Sequence, residues 1–261
     1  MGKQRHLSGH EAFEQYYQQL FPLRWEALKR AFSLERTPVE YKGNLTSPYY
    51  MDEASIIAAQ MLDVQKDDEV LDMCAAPGGK TMVLASILQG TGSLVSNDRS
   101  SQRRSRLIAT IREHIPQQWQ NTIKVTSFDS TKWGLYQQQA YDRILLDAPC
   151  SSERHVFVDD TALEQWSPAR PKHLAIQQFA MLAAALEAVR IGGHILYSTC
   201  AITPVEDEQV IAKLYEKREG RFELIALSPP FAEQREYGSI ILPDTAQGRG
   251  PLYFCLIRRI S

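Results

Sequence analysis

The amino-acid sequence predicts an α/β fold, in which helices cover both faces of a mostly parallel sheet. From Asp68 onward, short apolar runs typical of buried strands alternate with longer segments whose apolar residues recur at helical spacing. Strands that alternate with helices pair in parallel, because each helix returns the chain to the same end of the sheet. A glycine turn also joins the first of these strands to a helix. The length of 261 residues is enough for one large domain with a sizeable core.

Three helices are expected before the sheet. Aromatic and aliphatic residues recur at helical spacing over His10–Leu20 and Pro22–Phe32. Prolines and a glycine interrupt Glu35–Met51, so this stretch is expected to be irregular. A further helix is expected over Asp52–Leu62, because two acidic residues in its first turn favour the positive end of the helix dipole. The first two helices are expected to pack on the sheet domain as a cap.

Seven strands are expected in the main sheet. The first five are short apolar runs at Glu69–Met73, Ser93–Ser96, Ile123–Ser127, Arg143–Leu146 and His194–Ser198. Two more, joined by a long connection rich in proline and glycine, are expected at Phe222–Leu227 and Leu252–Arg258. The intervening helices are expected at Lys80–Leu88, Ser101–His114, Leu174–Val189 and Pro204–Lys217.

Charge and cysteine usage exclude several classes of protein. The net charge of −2 gives no overall basic surface, so any binding to nucleic acid needs a local patch. The four cysteines are widely separated and form no C-x-x-C pair, which predicts no metal site and favours a reducing compartment. No apolar run approaches the length of a membrane span, and the N-terminus lacks the apolar core of a signal peptide. The expected location is therefore the cytoplasm.

The turn between the first sheet strand and its helix predicts a cofactor site. Pro77 and two glycines let the backbone turn sharply and approach a ligand, and the following helix begins with free N–H groups. A P-loop is excluded, because Cys74 stands where that motif needs glycine, and the spacing G-x-G-x-x-G is also absent. The alternative is a tight turn without a ligand.

Asp98 and Asp129 end the next two strands, where carboxylates can accept hydrogen bonds from a ribose and an adenine. Two acids behind such a turn favour an adenosine moiety.

Two cysteines follow neighbouring strands. Cys150 comes after Asp147 at the end of the fourth strand, and Cys200 ends the fifth. A single cysteine after an apolar strand is usually a core residue, as expected for Cys255 inside the last strand. Active sites of such sheets lie at the carboxyl ends of the strands, so the shared position of Cys150 and Cys200 favours reactive thiols.

Three segments together resemble a known family. LDMCAAPGGKT, LLDAPCSS and YSTC resemble the Sun-type (Fmu-like) RNA 5-methylcytosine methyltransferases, which use S-adenosylmethionine. The resemblance runs from about Phe13 to the C-terminus and is strongest to the branch that contains the mitochondrial ribosomal RNA enzyme. It implies a Rossmann-like methyltransferase fold, with a helical cap and linker over residues 1–51 and a catalytic domain over residues 52–261. It also implies an enzyme of class EC 2.1.1.

The resemblance implies a role for each matching residue. Cys200 would be the nucleophile that adds to carbon 6 of cytosine, and Cys150 would assist breakdown of the covalent adduct. Asp147 would protonate the cytosine ring, and Lys80 would contact the base. The cofactor would be held by Cys74, Ala75, Ala76, Pro77, Gly78, Gly79, Lys80, Asp98, Arg99, Arg103, Asp129 and Asp147.

The resemblance also implies an RNA substrate, with ribosomal RNA first and transfer RNA second. A ribosomal subunit or an assembly factor is a candidate partner, and a monomer without a membrane partner is expected. One basic group follows the second strand and is more typical of a solvated helix face: Arg99, Arg103, Arg104, Arg106 and Arg112. The second group flanks the fourth strand, lies nearer the chemistry and is the better candidate for phosphate contact: Arg154, His155, Arg170, Lys172 and His173.

The sequence argues against three alternative functions. Enzymes that methylate exocyclic amines have a D/N-P-P-Y/F/W motif, and Asp147 here begins Asp-Ala-Pro-Cys instead. A DNA cytosine methyltransferase would not need Cys200. A ribosome-assembly factor with dispensable catalysis would not need an intact pair of thiols.

Overall fold

The computed structural model describes residues 9–35 and 37–261. Most of its strands form a nine-stranded sheet, and two short strands form a separate hairpin. The hairpin consists of β1 (Val39–Tyr41) and β2 (Tyr49–Met51). The main sheet contains β3 (Glu69–Asp72), β4 (Ser93–Asn97), β5 (Ile123–Thr126), β6 (Tyr141–Asp147), β7 (Val189–Thr199), β8 (Phe222–Ile225), β9 (Ala232–Gln234), β10 (Ser239–Ile241) and β11 (Leu252–Arg259).

Ten α-helices surround the strands in the described part of the chain. They are α1 (Gly9–Leu20), α2 (Trp25–Ser33), α3 (Glu53–Met61), α4 (Gly79–Leu88), α5 (Ser101–His114), α6 (Trp133–Tyr136), α7 (Glu153–Val158), α8 (Asp160–Glu164), α9 (Ala169–Ala188) and α10 (Glu208–Arg218). None of these helices is both long and apolar enough to cross a bilayer.

The order of the strands in the main sheet creates a crevice at one edge of the sheet. The order is β5-β4-β3-β6-β7-β11-β10-β9, and β8 also pairs with β11. The strands from β3 to β7 are mutually parallel, whereas β8 to β11 pair antiparallel. The chain runs outward from β3 to β5 and then returns to place β6 on the other side of β3. This reversal leaves a crevice at the carboxyl ends of β3 and β6, where ligands bind in open α/β sheets.

Side chains of β6 alternate between two apolar cores, as the period of a strand requires. Ile144 and Leu146 pack with α9, α10 and the cap helices, and Leu145 packs with α3, α4 and α5 on the opposite face. Helices on both faces of a mostly parallel sheet were predicted, and both features are confirmed. The strand number differs, because β9 and β10 form a short hairpin inside the predicted long connection.

The N-terminal segment also contains more structure than the sequence predicts. The stretch 35–51 includes the β1–β2 hairpin, whose three-residue strands are too short to show a periodic pattern. Residues 1–8 and 36 of the predicted cap and linker lie outside the described residues. In the described part, Phe13 and Trp25 are fully buried in the same core as β6 and β7. The cap helices therefore help to build the main core.

Candidate active site

A cavity of about 930 Å³ opens at the carboxyl ends of β3, β6 and β7. Ten of the sequence-predicted site residues line it: Cys74, Ala75, Ala76, Pro77, Gly79, Lys80, Arg103, Asp147, Cys150 and Cys200. Gly78, Asp98, Arg99 and Asp129 are not among its lining residues. The structure therefore brings together the residues with predicted catalytic roles and most of the residues predicted to hold the cofactor.

The two thiols of the cavity lie side by side, with 2.9 Å between Cys150 Sγ and Cys200 Sγ. Their strands, β6 and β7, are parallel neighbours, and Asp147 lies opposite Ser198 in the register. The loops that follow these two strands therefore start at the same edge of the sheet. This pairing brings together cysteines that are 50 residues apart in the chain.

The contact between the thiols makes them unequal acids. The hydrogen bond from Cys150 stabilises a thiolate on Cys200 and lowers the pKa of Cys200, although burial opposes this change. A hydrogen bond from Ser152 lowers the pKa of Cys200 further. The same contact with Cys200 raises the pKa of Cys150 well above its ordinary value, and burial adds to this increase. Cys200 is therefore the thiol that ionises first, as a nucleophile must.

Asp147 and Lys80 form an ion pair beside the thiols. Lys80 Nζ donates to Asp147 Oδ2 at 2.7 Å and to Ser55 Oγ at 3.3 Å. Ser198 Oγ donates to the other carboxylate oxygen at 3.0 Å. Burial favours the neutral amine, but the attraction of Asp147, Cys200 and Asp72 outweighs it and raises the pKa of Lys80. The lysine is therefore held as a cation against the carboxylate.

The loop from β3 to α4 is fixed from several sides. Ala75 donates its backbone N–H to the Asn97 carbonyl at 2.8 Å, and Arg103 donates to the Ala76 carbonyl. Gly78 has φ of +121°, and a Cβ there would also press on Leu107 and Thr110, which explains the need for glycine. The backbone is thus held open against the cavity.

Asp72 is a site residue that the sequence analysis missed. It lines the cavity, is buried at the end of β3, and accepts a hydrogen bond from Thr81 at 2.7 Å. Its other oxygen, Oδ1, is buried without a hydrogen-bond donor among the described residues. Burial raises the pKa of Asp72 to about 7. A buried carboxylate with an unused oxygen fits a cationic ligand, and S-adenosylmethionine has both a sulfonium and an ammonium group.

The charged cofactor residues predicted near the ends of β4 and β5 form two ion pairs, Asp98 with Arg103 and Arg99 with Asp129. Asp98 is buried, accepts from the Ser100 N–H at 2.9 Å and lies 3.4 Å from Arg103 Nε. Arg99 Nη1 lies 3.9 Å from Asp129 Oδ2. The hydrogen bond from Thr131 lowers the pKa of Asp129. The carboxylates of Asp98 and Asp129 remain close to the ends of β4 and β5, where an adenosine would be expected.

The prediction that Arg154 contacts phosphate is wrong, because its guanidinium is used within the protein. Its guanidinium is buried and donates to the carbonyls of Gly248, Gly250 and Leu34 at 2.7–3.0 Å. It therefore ties α7 to the C-terminal loop and to the end of α2. The remaining members of that basic group are exposed: His155, Arg170, Lys172 and His173. No local sequence pattern distinguishes the buried arginine from these, because its burial depends on the distant loop at residues 248–250.

Further residues of the cavity wall come from segments without a recognisable motif. Ser152 follows Cys150 and contacts both sulfurs, and residues 32–35 at the end of α2 form part of the wall. Ser152 could have been suspected from its position two residues after Cys150. The contribution of the cap could not, because it depends on how α2 packs on α7.

Comparisons with known proteins match most of this chain. A family model described as 16S rRNA methyltransferase RsmB/F matches residues 59–254. The 5-cytosine rRNA methyltransferase NSUN4 of Bos taurus is 34% identical over 233 residues, which cover 82% of this chain and 60% of the relative. The crystal structure of NSun6 from Pyrococcus horikoshii with SFG has a TM-score of 0.69 and 25% identity, covering 84% of this chain and 54% of that one. The predicted methyltransferase fold and its use of S-adenosylmethionine are confirmed.

A further relative corrects the predicted location. The protein named tRNA (cytosine(34)-C(5))-methyltransferase, mitochondrial, of Danio rerio is 32% identical over 239 residues, which cover 86% of this chain and 64% of the relative. The expectation of a cytoplasmic location is wrong, since the relatives point to mitochondria instead. Unpaired cysteines report a reducing environment, and several compartments provide one.

The family assignment rests on the extent of these matches. This chain spans less than two thirds of the length of the Bos taurus and Danio rerio relatives. The matching family model, however, includes the loop at residues 74–80 and both thiols of the cavity. The chain therefore belongs to the RsmB/F family of 16S rRNA methyltransferases.

Proposed function

We propose that this protein transfers a methyl group from S-adenosylmethionine to carbon 5 of cytosine in RNA, through a covalent bond between Cys200 and carbon 6. The observation that supports this proposal most directly is the pair of thiols, 2.9 Å apart, on the wall of one cavity with Asp147 and Lys80. Residues 52–261 form the catalytic domain, and the cap and linker over residues 1–51 support its wall.

The chain offers a matching set of groups for the cofactor. S-adenosylmethionine supplies an electrophilic methyl group when bound. Asp72, the backbone of residues 74–77 and Arg103 would hold its charged methionine end, because they line the cavity beside the thiols. Asp98 and Asp129 would hold its ribose and adenine from the ends of β4 and β5.

Cys200 performs the first step. Carbon 5 of cytosine is a poor nucleophile, and addition of a thiolate to carbon 6 makes carbon 5 enamine-like. The Cys200 sulfur forms the bond to carbon 6 while the electron pair of the ring double bond moves towards N3. The lowered pKa of Cys200 increases the fraction of thiolate that is available for this attack.

Asp147 and Lys80 control the proton at N3. As N3 gains electron density, Lys80 passes one proton to the Asp147 carboxylate across the 2.7 Å contact, and Asp147 passes this proton on to N3. The pair thus ends the step with a neutral amine and a carboxylate. General acid catalysis of this kind contributes roughly 10²- to 10⁴-fold to a rate.

Cys150 assists the last step. A water molecule takes the carbon 5 proton, the ring double bond re-forms, and the electron pair of the carbon–sulfur bond returns to Cys200 as a thiolate. The proton on N3 returns through Asp147 to the neutral amine of Lys80, which restores the ion pair. The Cys150 thiol, 2.9 Å away, donates a hydrogen bond to this departing thiolate. Its own raised pKa keeps the required proton in place.

Single substitutions of the two thiols test this mechanism. Cys200→Ser should abolish transfer of labelled methyl groups to RNA. Cys150→Ala should accumulate a protein–RNA adduct that survives denaturing electrophoresis, because the departing thiolate loses its donor. Wild-type methylation by Cys200→Ser would contradict the proposal, and so would an adduct that forms without Cys200.

Ribosomal RNA is the proposed substrate, by analogy with the name of the Bos taurus relative. Transfer RNA is the second candidate, by analogy with the Danio rerio relative. The cytosine must be unpaired or flipped to enter the cavity. A monomer acting on RNA presented by a ribosomal subunit or assembly partner is the simplest arrangement. Bisulfite sequencing of RNA from cells with and without the protein identifies the methylated position.

A further inference from the structure

The hydroxyl of Ser152 does not cap the helix that this residue precedes. Ser152 directly precedes α7, a position where serine usually accepts a hydrogen bond from the helix backbone. Here its side chain makes no such bond to the helix. Its Oγ instead lies 3.2 Å from Cys200 Sγ and 3.5 Å from Cys150 Sγ, on the wall of the cavity. The hydroxyl is therefore directed at the thiols.

The backbone of Ser152 adds a second observation. Its φ of +54° and ψ of +55° lie in the left-handed region, which glycine adopts at less cost than any residue with a Cβ. A non-glycine residue in such a conformation beside a cavity is typical of functional positions. Glycine would suit this turn better, so the hydroxyl is what serine adds here.

The neighbouring serine shows that this orientation is specific. Ser151 is fully buried, and its hydroxyl lies between the carboxyl groups of Glu153 and Glu206, away from the sulfurs. Adjacent serines of the same loop thus face opposite environments. Only Ser152 of this pair lines the cavity.

We infer that Ser152 is a positioning residue for the thiol chemistry, whose hydroxyl donates a hydrogen bond to Cys200 whenever that sulfur carries negative charge. A thiolate has no hydrogen to donate, so the contact of 3.2 Å requires the hydroxyl of Ser152 as the donor. When Cys200 is bonded to carbon and neutral, the Cys150 carbonyl at 3.4 Å is an alternative acceptor for the same hydroxyl. The inference rests on the proposed function for its role in methyl transfer, but the contact itself does not.

Ser152 acts together with the charged groups that surround Cys200. The titratable groups that face this sulfur come from β6, the loop after β6, α4 and α7, and they are Asp147, Cys150, Lys80 and Glu153. The two carboxylates oppose a thiolate, whereas Lys80 and Cys150 favour it. A neutral donor adds stabilisation without introducing another charge into the pocket.

Alkylation of the thiols by iodoacetamide tests the inference without RNA or cofactor. The rate at Cys200 is followed from pH 5 to 10 by mass spectrometry of its peptide, which separates it from the other three cysteines. In Ser152→Ala, the rate at pH 7 should fall roughly tenfold and the midpoint of the profile should rise by about one pH unit, because the variant has no hydroxyl to donate to the thiolate. Ser152→Gly should show the same change, and glycine also adopts the left-handed backbone conformation of this position at less cost. This variant therefore tests the inference even if Ser152→Ala folds poorly.

Ser33→Ala is the matched control. Ser33 lines the same cavity, but its hydroxyl donates to the Lys29 carbonyl at 3.0 Å, so its removal should leave the Cys200 profile unchanged. A wild-type profile in both Ser152 variants would overturn the inference and leave the proposed function intact. A shifted profile in a protein that does not methylate RNA would support the inference and contradict the proposed function.

Discussion

At the scale of single residues, the cavity depends on acids and thiols whose protonation is set by their immediate neighbours. Cys150 and Cys200 have similar burial but opposite pKa directions, because one donates the hydrogen bond that the other accepts. Asp72 at the back of the cavity has an unused oxygen and a raised pKa. Both features are expected of a site that binds a cation and uses a thiolate.

Asp72→Asn tests the role of the buried carboxylate. The substitution keeps the shape and the hydrogen bond with Thr81 but removes the negative charge. S-adenosylmethionine should bind about 10- to 100-fold more weakly, since hydrogen bonds to charged groups contribute about 1.5–3 kcal/mol. Isothermal titration calorimetry measures the change. Asp160→Asn, at an exposed position of α8, is the control and should bind normally; equal affinities in both variants would exclude Asp72 from the cofactor site.

A buried acid pair below the thiols predicts the pH dependence of stability. Ser151 has one hydroxyl proton but contacts both Glu153 and Glu206, so one of the two carboxyl groups must be protonated. Burial, with the charge of Glu153, raises the pKa of Glu206 from 4.5 to about 8. Between these values the folded state holds more protons than the unfolded chain. The free energy of unfolding should therefore decrease as the pH rises from about 4.5 to about 8.

Glu206→Gln checks the assignment of this proton. The amide can donate to Ser151 as the protonated acid does, while its oxygen still accepts from the Ser151 N–H and Gln178, both at 2.9 Å in the wild type. Thermal unfolding followed between pH 5 and 9 should show a smaller loss of stability for this variant. Glu219→Gln, at an exposed position after α10, should retain the wild-type slope. Parallel slopes for all three proteins would contradict the assignment.

At the scale of elements, the cap helices and the sheet share one core. Trp25 of α2 is fully buried and packs against Phe13, Tyr17 and Phe32 with ring centroids 5.3–6.2 Å apart. Residues 32–35, which continue from this cluster, form part of the cavity wall. Packing of the cap therefore determines the shape of the site.

Trp25→Ala should affect both stability and activity. Removal of a buried tryptophan leaves a cavity and costs about 3–5 kcal/mol of the free energy of unfolding. Denaturation by urea measures this decrease, and methylation at a temperature where the variant is folded should also be reduced. Leu23→Ala is the control, because Leu23 is fully exposed (101%) two residues earlier. A Trp25→Ala protein that loses stability but keeps full activity would separate the cap from the site.

Long elements with a clear hydrophobic period were predicted from the sequence more accurately than short ones. The helix α5 was predicted at its observed bounds, Ser101–His114, because its 14 residues show a clear period and Ser100 accepts the hydrogen bond of an N-cap. The β1–β2 hairpin was missed, because three residues per strand cannot establish a period of two. The helix α7 was also missed, because its six residues follow a serine in the left-handed conformation.

At the scale of the whole molecule, the net charge of −2 means that RNA, the proposed substrate, would have to be attracted by a local basic patch. The exposed basic residues at the start of α9, Arg170 and Lys172, are the proposed local patch.

The double variant Arg170→Ala/Lys172→Ala should weaken RNA binding at low salt. The slope of log K against log salt should fall by about 0.7 for each phosphate that the variant no longer neutralises. Fluorescence anisotropy over a salt series measures it. Lys217→Ala on α10 should leave the slope unchanged, and an unchanged slope in the double variant would move the RNA surface elsewhere.

The sequence by itself determined the fold class, the positions of the main strands and helices, and the residues whose side chains could take part in catalysis. It did so because local periods report backbone conformation, and because the glycine turn and the two cysteines each follow a recognisable strand. Only the tertiary structure decided that Cys150 and Cys200 touch, that Ser152 faces them while Ser151 does not, and that Arg154 is buried. The physical reason is that side-chain direction and burial depend on segments distant in the chain, which pack together only in the folded protein.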